Sequence, residues 1–590
     1  MHGKRGFMCI LLILFITYFP TIGIHSDELP EGFSVGSIQI AIVVSNSYIP
    51  HGPIIIRNNS DFASQGWPGG GIPGNPYIIE NLDIKSDEIC IQINNTDAFF
   101  ELRNCLITSD GESPLDGIRL CNVSYGIIIN CFAELHHNGF RFWNCSECIA
   151  LNNTASDNSL NSFYCEESFN CTMINNTASD SGFRILRCPS SVLINNTSTG
   201  FSLLYCNSSI MINNTASLKG VFLYHSSNST LVNNTVINYY YGFEILNSPY
   251  SILHHNTAWN NNVGFYIYDS NYCNLTVNTA IQSSNTGFRF YRSPFCTIHY
   301  NELSSRGIDI GGTYLDCWLH DVVNNTIDTK ELGYFKSVND AMIDASTFGQ
   351  VILVNCSSVT IVNGVFSNCI RGTQLMYCTE CYLTNNTSIN SSADSIDSGF
   401  DLRYCNSCTL IQNVVTNCYG GFYFGNSTSL ILNDNFASNC FYGVILGSES
   451  TSCMISNNVI IENEFGINIY QSCSFNLIYL NHFANNSLAN GYDDGFSNSW
   501  DNGTHGNFWD DYDCSGSYTI SGNAGSVDNH PYLYGAVCPT TSTSTAITTS
   551  TTITNTAGFD MLQVIILSGL SIGLATVVCL VIFKFVRAKK

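Results

Sequence analysis

The sequence predicts an all-β chain wound as a right-handed parallel β-helix with ~22-residue rungs, followed by a C-terminal transmembrane helix. Three observations carry the solenoid. Gly followed by an apolar residue recurs at Gly117, Gly139, Gly182, Gly200, Gly220, Gly242, Gly264, Gly287 and Gly307, and again at Gly399, Gly421, Gly443 and Gly466. The gaps are 22, 43, 18, 20, 22, 22, 23 and 20, then 22, 22 and 23, the 43 spanning one skipped unit. An Asn keeps phase with it at Asn153, Asn176, Asn196, Asn214, Asn234, Asn256, Asn278 and Asn301, then at Asn386, Asn413, Asn458 and Asn481. Inside a unit apolar residues alternate, as in Gly139-Phe140-Arg141-Phe142 and Gly287-Phe288-Arg289-Phe290, which is the period of a strand.

A 22-residue lap of extended chain spans ~70 Å and suits a three-sided coil with rungs ~4.8 Å apart. Roughly 20 rungs between Ile54 and Asn490 would stack to about 90–100 Å. Leucine-rich repeats have similar periods, but their L-x-x-L-x-L consensus is missing. Helical architecture is excluded by composition: 69 Asn and 46 Gly with only 11% charged residues disfavour helix interiors. With 21 basic against 45 acidic side chains, net −24, the chain lacks the cation surplus that a nucleic-acid partner requires.

Taken in order, residues 1–24 read as a signal peptide: Lys4 and Arg5 precede an apolar run from Phe7 to Phe19, too short for a comfortable span. Residues 25–53 form an N-terminal cap and 54–490 the β-helix, with a Gly-Pro-rich loop at 66–76. The rung pattern lapses at 325–350, a stretch expected to project from the coil and a candidate binding element. Residues 491–538 are a C-terminal cap, covering what would be an open sheet end. The Ser/Thr tract 539–556 reads as a stalk. Residues 561–583 carry no charge over 23 positions, enough to cross a bilayer. The basic tail 584–590 then places the ectodomain outside and the C-terminus in the cytoplasm.

Stacked rungs favour side chains that pair with copies of themselves, and Asn amides both donate and accept. The recurring Asn is therefore expected to form an inward ladder. The residue before it varies (Asn152, Asn175 and Asn195, but His255, Val277, Tyr300 and Gln412), which marks it as outward. It opens N-x-Ser/Thr sequons at Asn152, Asn175, Asn195, Asn213, Asn233 and Asn385, the glycosylation candidates. Cys and Ser interchange at two repeat positions, for example Cys145, Ser168, Cys188, Cys206 and Ser226, as expected of small, packed turn positions. The repeat also generates Cys378/Cys381 and Cys405/Cys408, a spacing that elsewhere signals zinc. Packed thiols or a few inter-rung disulfides are the expectation here.

The Asn-rich rungs, the opening Ile54-Ile55-Ile56-Arg57-Asn58-Asn59, the stretch Gly349-Gln350-Val351-Ile352-Leu353-Val354-Asn355-Cys356 and the terminal Asn507-Phe508-Trp509-Asp510-Asp511-Tyr512 resemble the NosD-like periplasmic copper-binding β-helix family. They also resemble the wider class of carbohydrate-binding and sugar-hydrolase β-helices, which includes pectin-lyase-like enzymes. The resemblance runs from about Ile54 to Tyr534 and implies the same fold. It departs from the family at Ser515–Asp528, where Ser, Gly and Asn replace most of an Asp-Gly-rich stretch, and there Cys514 and Cys538 are expected to clasp the cap.

Copper handling finds no tract of Met, Cys or His, only the doublets His136-His137 and His254-His255. A lyase or hydrolase needs converging acids. Asp157 and Asp180 occupy equivalent places in adjacent rungs, and the densest ionic group is Asp309, Asp316 and Asp321 with Arg306 and His320. Calcium at Asp493, Asp494, Asp510 or Asp511 of the C-terminal cap would suit a hard cation. Tyr239, Tyr240, Tyr241, Tyr266, Tyr268 and Tyr291 offer rings to sugars or protein partners, half of them expected to point into the core. The favoured reading is a non-catalytic, membrane-anchored surface scaffold for binding, adhesion or envelope structure, with glycans or cell-surface proteins as partners. A carbohydrate-active enzyme and a copper-handling protein are the alternatives.

Overall fold

The structure, a computed structural model, describes residues 48–533 save 112–114, 305 and 390–396. The segments expected to be signal peptide, stalk, membrane span and basic tail, most of the expected N-terminal cap, and Cys538 lie outside the described residues. Among the described residues no helix is long and apolar enough to cross a membrane.

The chain winds as a right-handed parallel β-solenoid of about twenty turns. In the first coil each turn carries three strands. A long-strand face runs from Ile54–Ile56 to Ile308–Gly311, a second face from Tyr77–Glu80 to Asp321–Val323, each 12 strands deep, and a third from Leu82–Lys85 to Thr326–Ile327. Like residues stack in register, as in Phe140↔Phe163, Phe163↔Phe183 and Phe183↔Phe201. Their rings stack 4.7, 4.5 and 5.0 Å apart, so the core is a column of Phe, Ile and Leu.

The Asn ladder runs unbroken through most of each coil, starting one rung after Cys131 in the first and one rung after Gly364 in the second. Oδ1 of Asn234 accepts both the backbone N–H and the side-chain amide of Asn214, each at 2.9 Å, while its own Nδ2 donates to the Met211 carbonyl at 3.0 Å. The unit repeats from Asn153 to Asn325 and from Asn386 through Asn435 to Asn507. The residue before each rung's Asn is left-handed, with φ 55° at Asn152, 54° at Asn233, 54° at His255 and 56° at Val277. Asn is common there because it tolerates that conformation. Asn175, Asn195, Asn213, Asn233 and Asn385 are exposed and Asn152 half-buried. The recurrent Gly answers a different demand. A Cβ on Gly220 would lie 2.1 Å from the Tyr241 carbonyl of the next rung, and one on Gly242 2.5 Å from that of Gly264.

Cys and Ser interchange because either accepts one N–H from the rung below. Cys145 donates to Ser168, Ser168 to Cys188, Cys188 to Cys206 and Cys206 to Ser226. Of the two expectations the packed thiols hold and the inter-rung disulfides do not: the 23 described cysteines other than Cys514 form no disulfide, and all but one are buried. Cys514 is disulfide-bonded.

The segment expected to project instead turns the coil around. Ile327↔Lys330 and Thr326↔Glu331 pair antiparallel, joined by Asp328 and Thr329 at φ 46° and 70°, the signs of a primed two-residue hairpin turn. Lys330–Lys336 then pairs parallel with Phe348–Val354, which starts a second coil whose other faces hold 7 and 8 strands. The sheet continues across the reversal, but its core changes sides. Ile352 and Val354 pack into the first core, Val351 and Leu353 into the second. Reversing strand direction alone would invert the hand of the coil; moving the core to the opposite side of the sheet restores it.

Both coils are covered at their ends. The six-residue helix Asn59–Ser64, capped by Asn58, puts Phe62 against Tyr77 at 4.7 Å and Phe100 at 5.4 Å. Where the first coil stops, Gln350 donates to the Ile308 carbonyl at 2.8 Å and accepts its N–H at 2.9 Å. Gln374, Lys336 and Tyr377 bond the carbonyls of Ile310, His320 and Thr313. At the far end Asp528 accepts the N–H of Asn507, the last ladder residue, and the Trp509 indole.

Asn234→Ala strands the Asn214 amide groups and the Met211 carbonyl. It is expected to cost about 3 kcal/mol or more, since each buried polar group left unpaired costs about 1–3 kcal/mol. Asn233→Gly, at the left-handed position, is expected to stay within about 1 kcal/mol. Urea unfolding followed by far-UV circular dichroism compares the two.

Candidate functional site

The acids singled out in the sequence do not converge. Asp316 is exposed on the short 3-10 turn Leu315–Trp318, and Asp321 is exposed and 3.0 Å from His299. Asp157 donates its backbone N–H to the Asp180 carboxylate at 2.6 Å, on an exposed turn. Arg306 lies at the boundary between the coils, 3.5 Å from Asp397. His320 is buried there, and burial, helped by Lys336, pushes its imidazole down to about 3. It is neutral at physiological pH.

Asp309 belongs to an alternating chain of charges that joins the two coils. Arg289 reaches it at 3.1 Å, Arg371 bridges it to Asp401, and Arg403 clasps Asp401 with two bonds of 2.8 and 3.0 Å. Burial alone would raise the Asp401 carboxyl, but Arg403 and Arg371 outweigh it and hold it below the usual carboxylate range. With every acid oxygen committed to guanidinium, this group holds the coils together.

Of the tyrosines, Tyr266, Tyr268 and Tyr291 all stand on the outer side of the long-strand face, while Phe265, Ile267 and Phe290 take the inner positions. None of the six tyrosines enters the core, because a buried phenol needs a partner that this apolar column does not offer. Most of their ring faces are covered by neighbours. Tyr241 stacks on Tyr266 at 5.0 Å, Tyr268 on Tyr291 at 5.5 Å, and Arg292 lies over both of the latter.

One stretch of this face differs. Strands Phe183–Leu186, Phe201–Leu204 and Val221–Tyr224 have four residues each, whereas the flanking Asn161–Glu166 and Tyr241–Leu246 have six. The shorter rungs leave a notch of about 250 Å³, walled by Asn161 at one end and by Tyr239, Tyr241 and Glu244 at the other. Arg184, Ser202, Lys219 and Phe222 line it. Phe222 follows Ser202 in register and precedes Glu244, so no ring covers it from an adjacent rung; its one ring neighbour is Tyr224 of the same strand, nearly parallel at 6.2 Å. Tyr241 has the Tyr266 ring stacked on it at 5.0 Å and the Tyr240 ring edge-on at 4.6 Å. Burial raises the Glu244 carboxyl. Sequence reading passed over Arg184, Lys219, Phe222 and Glu244; the signal was the Gly spacing, which falls to 18 and 20 at these rungs.

The profile of a family described as periplasmic copper-binding protein (NosD) matches residues 190–341 and 323–514, together more than half of the chain. The chain belongs to the NosD family. No curated protein matches it. Solved structures match remotely. Tailspike protein 3 of bacteriophage CBA120 is 11% identical over 61% of this chain and 58% of its own, with a TM-score of 0.22; this chain thus spans under two thirds of that one. The PL6 family alginate lyase AlyGC is 10% identical over 81% of this chain and 97% of its own, TM-score 0.23. The periplasmic alginate epimerase AlgG is 12% identical over 74% and 85%, TM-score 0.18.

The donor set of this NosD-family chain does not fit copper. Cys378, Cys381, Cys405 and Cys408 meet across two turns, but each thiol donates to a carbonyl of the preceding rung. Within the group, hydrogen bonds from Cys378 and Cys408 lower Cys381 while burial raises Cys378. Burial likewise pushes Cys206 up to about 12, leaving it a protonated donor at neutral pH. Among the described residues no group of three or more ligating side chains is arranged to hold a metal ion. The cap aspartates are engaged as acceptors. Asp493 takes the Trp500 indole, Asp494 the Asn523 amide, Asp510 the Asn485 N–H and Asp511 the Tyr518 hydroxyl.

Asp401→Asn breaks the charge chain between the coils. It is expected to destabilise the protein by about 3–5 kcal/mol at pH 7, the cost of removing one partner of a buried ion pair. Because the folded-state pKa is depressed, the carboxylate contributes its stability above the unfolded value of about 3.9. That contribution is lost as pH falls through the folded value. Melting temperatures from pH 7 to pH 2 are expected to show a steeper acid decline in wild type than in Asp401→Asn.

Proposed function

We propose that this NosD-family solenoid is a glycan-binding scaffold, with its site in the notch of the long-strand face. The observation that carries the reading is that the notch is lined by two aromatic rings, Phe222, which no ring of an adjacent rung covers, and Tyr241, together with polar side chains at its rim. The C–H face of a sugar ring packs on the electron-rich face of an aromatic ring, and its hydroxyls need polar partners around the edge. Elsewhere on this face the tyrosine ladder offers mainly ring edges, because each ring covers its neighbour.

Binding rather than hydrolysis is favoured because Glu244 is the one carboxylate lining the notch, and glycoside hydrolysis draws on a pair. The signal peptide at 1–24 and the apolar segment 561–583 support a place at the cell surface, anchored by the C-terminal helix. The outward sequon residues from Asn152 to Asn385 support glycan attachment on the side of the solenoid away from the core.

On a glycan array, purified full-length protein is expected to bind a defined subset of saccharides and to release no product from polysaccharides. Phe222→Ala and Tyr241→Ala are each expected to weaken binding about tenfold, ~1.4 kcal/mol, with unchanged melting temperature. Binding that survives both substitutions, or sugar release from a polysaccharide panel, would overturn the reading.

A further inference from the structure

We infer that the notch selects an acidic saccharide, whose carboxylate or sulfate is held by Arg184 and Lys219; this rests on the notch being the glycan site. Four arginines stand on the outer side of the first coil's long-strand face. Arg119 is 2.6 Å from Asp116, Arg141 lies between Asp116 and Glu166 at 3.6 and 3.4 Å, and Arg289 pairs with Asp309. Arg184 alone of the four has no carboxylate within ion-pair distance among the described residues. This happens in a chain with 45 acidic against 21 basic side chains, where a partner is easy to find.

The reason lies in the register. Arg184 has Tyr164 and Ser202 as its neighbours on adjacent rungs. The nearest acids in sequence are already used, Asp180 by the Asp157 N–H, Glu167 by Arg187 and Glu166 by Arg141. Lys219, exposed on the rim just before Gly220, likewise forms no ion pair among the described residues. Two uncommitted cations therefore face one cavity. Arg presents a planar fork that matches a carboxylate or sulfate, and Lys adds a point charge.

Glu244 gives the site direction. It lies three rungs from Arg184 by way of Ser202 and Phe222, or ~14 Å at about 4.8 Å per rung. An acidic group is attracted to the Arg184 end and repelled from the Glu244 end. Glu244 accepts hydroxyls there, and the sugar ring lies over Phe222 between them.

The test is a titration of full-length protein with three size-matched oligosaccharides: neutral, uronate-containing and sulfated. At least one acidic ligand is expected to bind tenfold or more tighter than the neutral one, and to lose that advantage in 500 mM salt. Arg184→Gln and Lys219→Gln are each expected to weaken the acidic ligand several-fold more than the neutral one. Phe222→Ala is expected to weaken both. Preference for the neutral ligand, or acidic binding untouched by Arg184→Gln and Lys219→Gln but lost in Phe222→Ala, would overturn the acidic selectivity and keep the notch as the site. Acidic binding indifferent to all three substitutions would remove the notch itself. Both cations are exposed, so the glutamine variants are expected to melt as wild type does.

Discussion

Everything in this molecule depends on one side chain being able to bond to a copy of itself one turn away. The side chain of the ladder Asn closes three bonds to the preceding rung, accepting that rung's Asn N–H and amide and donating to one of its carbonyls. Any shift in register would strand these groups in a dry interior, where each costs more than a hydrogen bond normally contributes. The remaining repeat features follow from that alignment. Once the turns are locked in phase, the corner glycine has a carbonyl where its Cβ would be, and the residue before Asn is held left-handed. Ser and Cys become interchangeable because only a small acceptor for one N–H is required.

Much of this was legible in the sequence, since repetition exposes which positions face inward. Asn153, Asn176 and Asn196 were readable as a ladder from their spacing alone, and the number of turns from the repeat length between Ile54 and Asn490. Asn435 escaped because Asp434 and Phe436 disguise its repeat context. The reversal at Asp328 and Thr329 was hidden for a chemical reason: neither residue is the Gly or Asn usually found where φ is positive, so the lapse in pattern looked like an excursion. Asp309 was visible as an acid, but its partners Arg371 and Asp401 lie 62 and more residues away and meet it only because the coil doubles back. The notch was written in short Gly spacings, whereas the isolation of Arg184 is a property of register that no local motif announces.

The cysteines illustrate how context overrides residue type. A spacing that would mark a metal centre in an irregular protein arises here from the repeat, and the thiols serve as weak hydrogen-bond groups within the core. Membership of the NosD family therefore comes with a core whose sulfur is spent on carbonyls. What distinguishes this chain chemically lies on the outside of the solenoid, where a shortening of a few residues per turn opens a cavity with charges of both signs.

The seal that Gln350 places on Ile308 has a consequence for assembly. A parallel solenoid is a ready template for fibrous growth, because its terminal turn offers the same unpaired edge that the next turn would use. Here a glutamine side chain imitates the missing strand, giving one donor and one acceptor to a residue that would otherwise recruit them from another molecule. The length of the first coil is thus set by a stopper, not by where its repeats run out, and end-to-end polymerisation through that edge is foreclosed within the monomer.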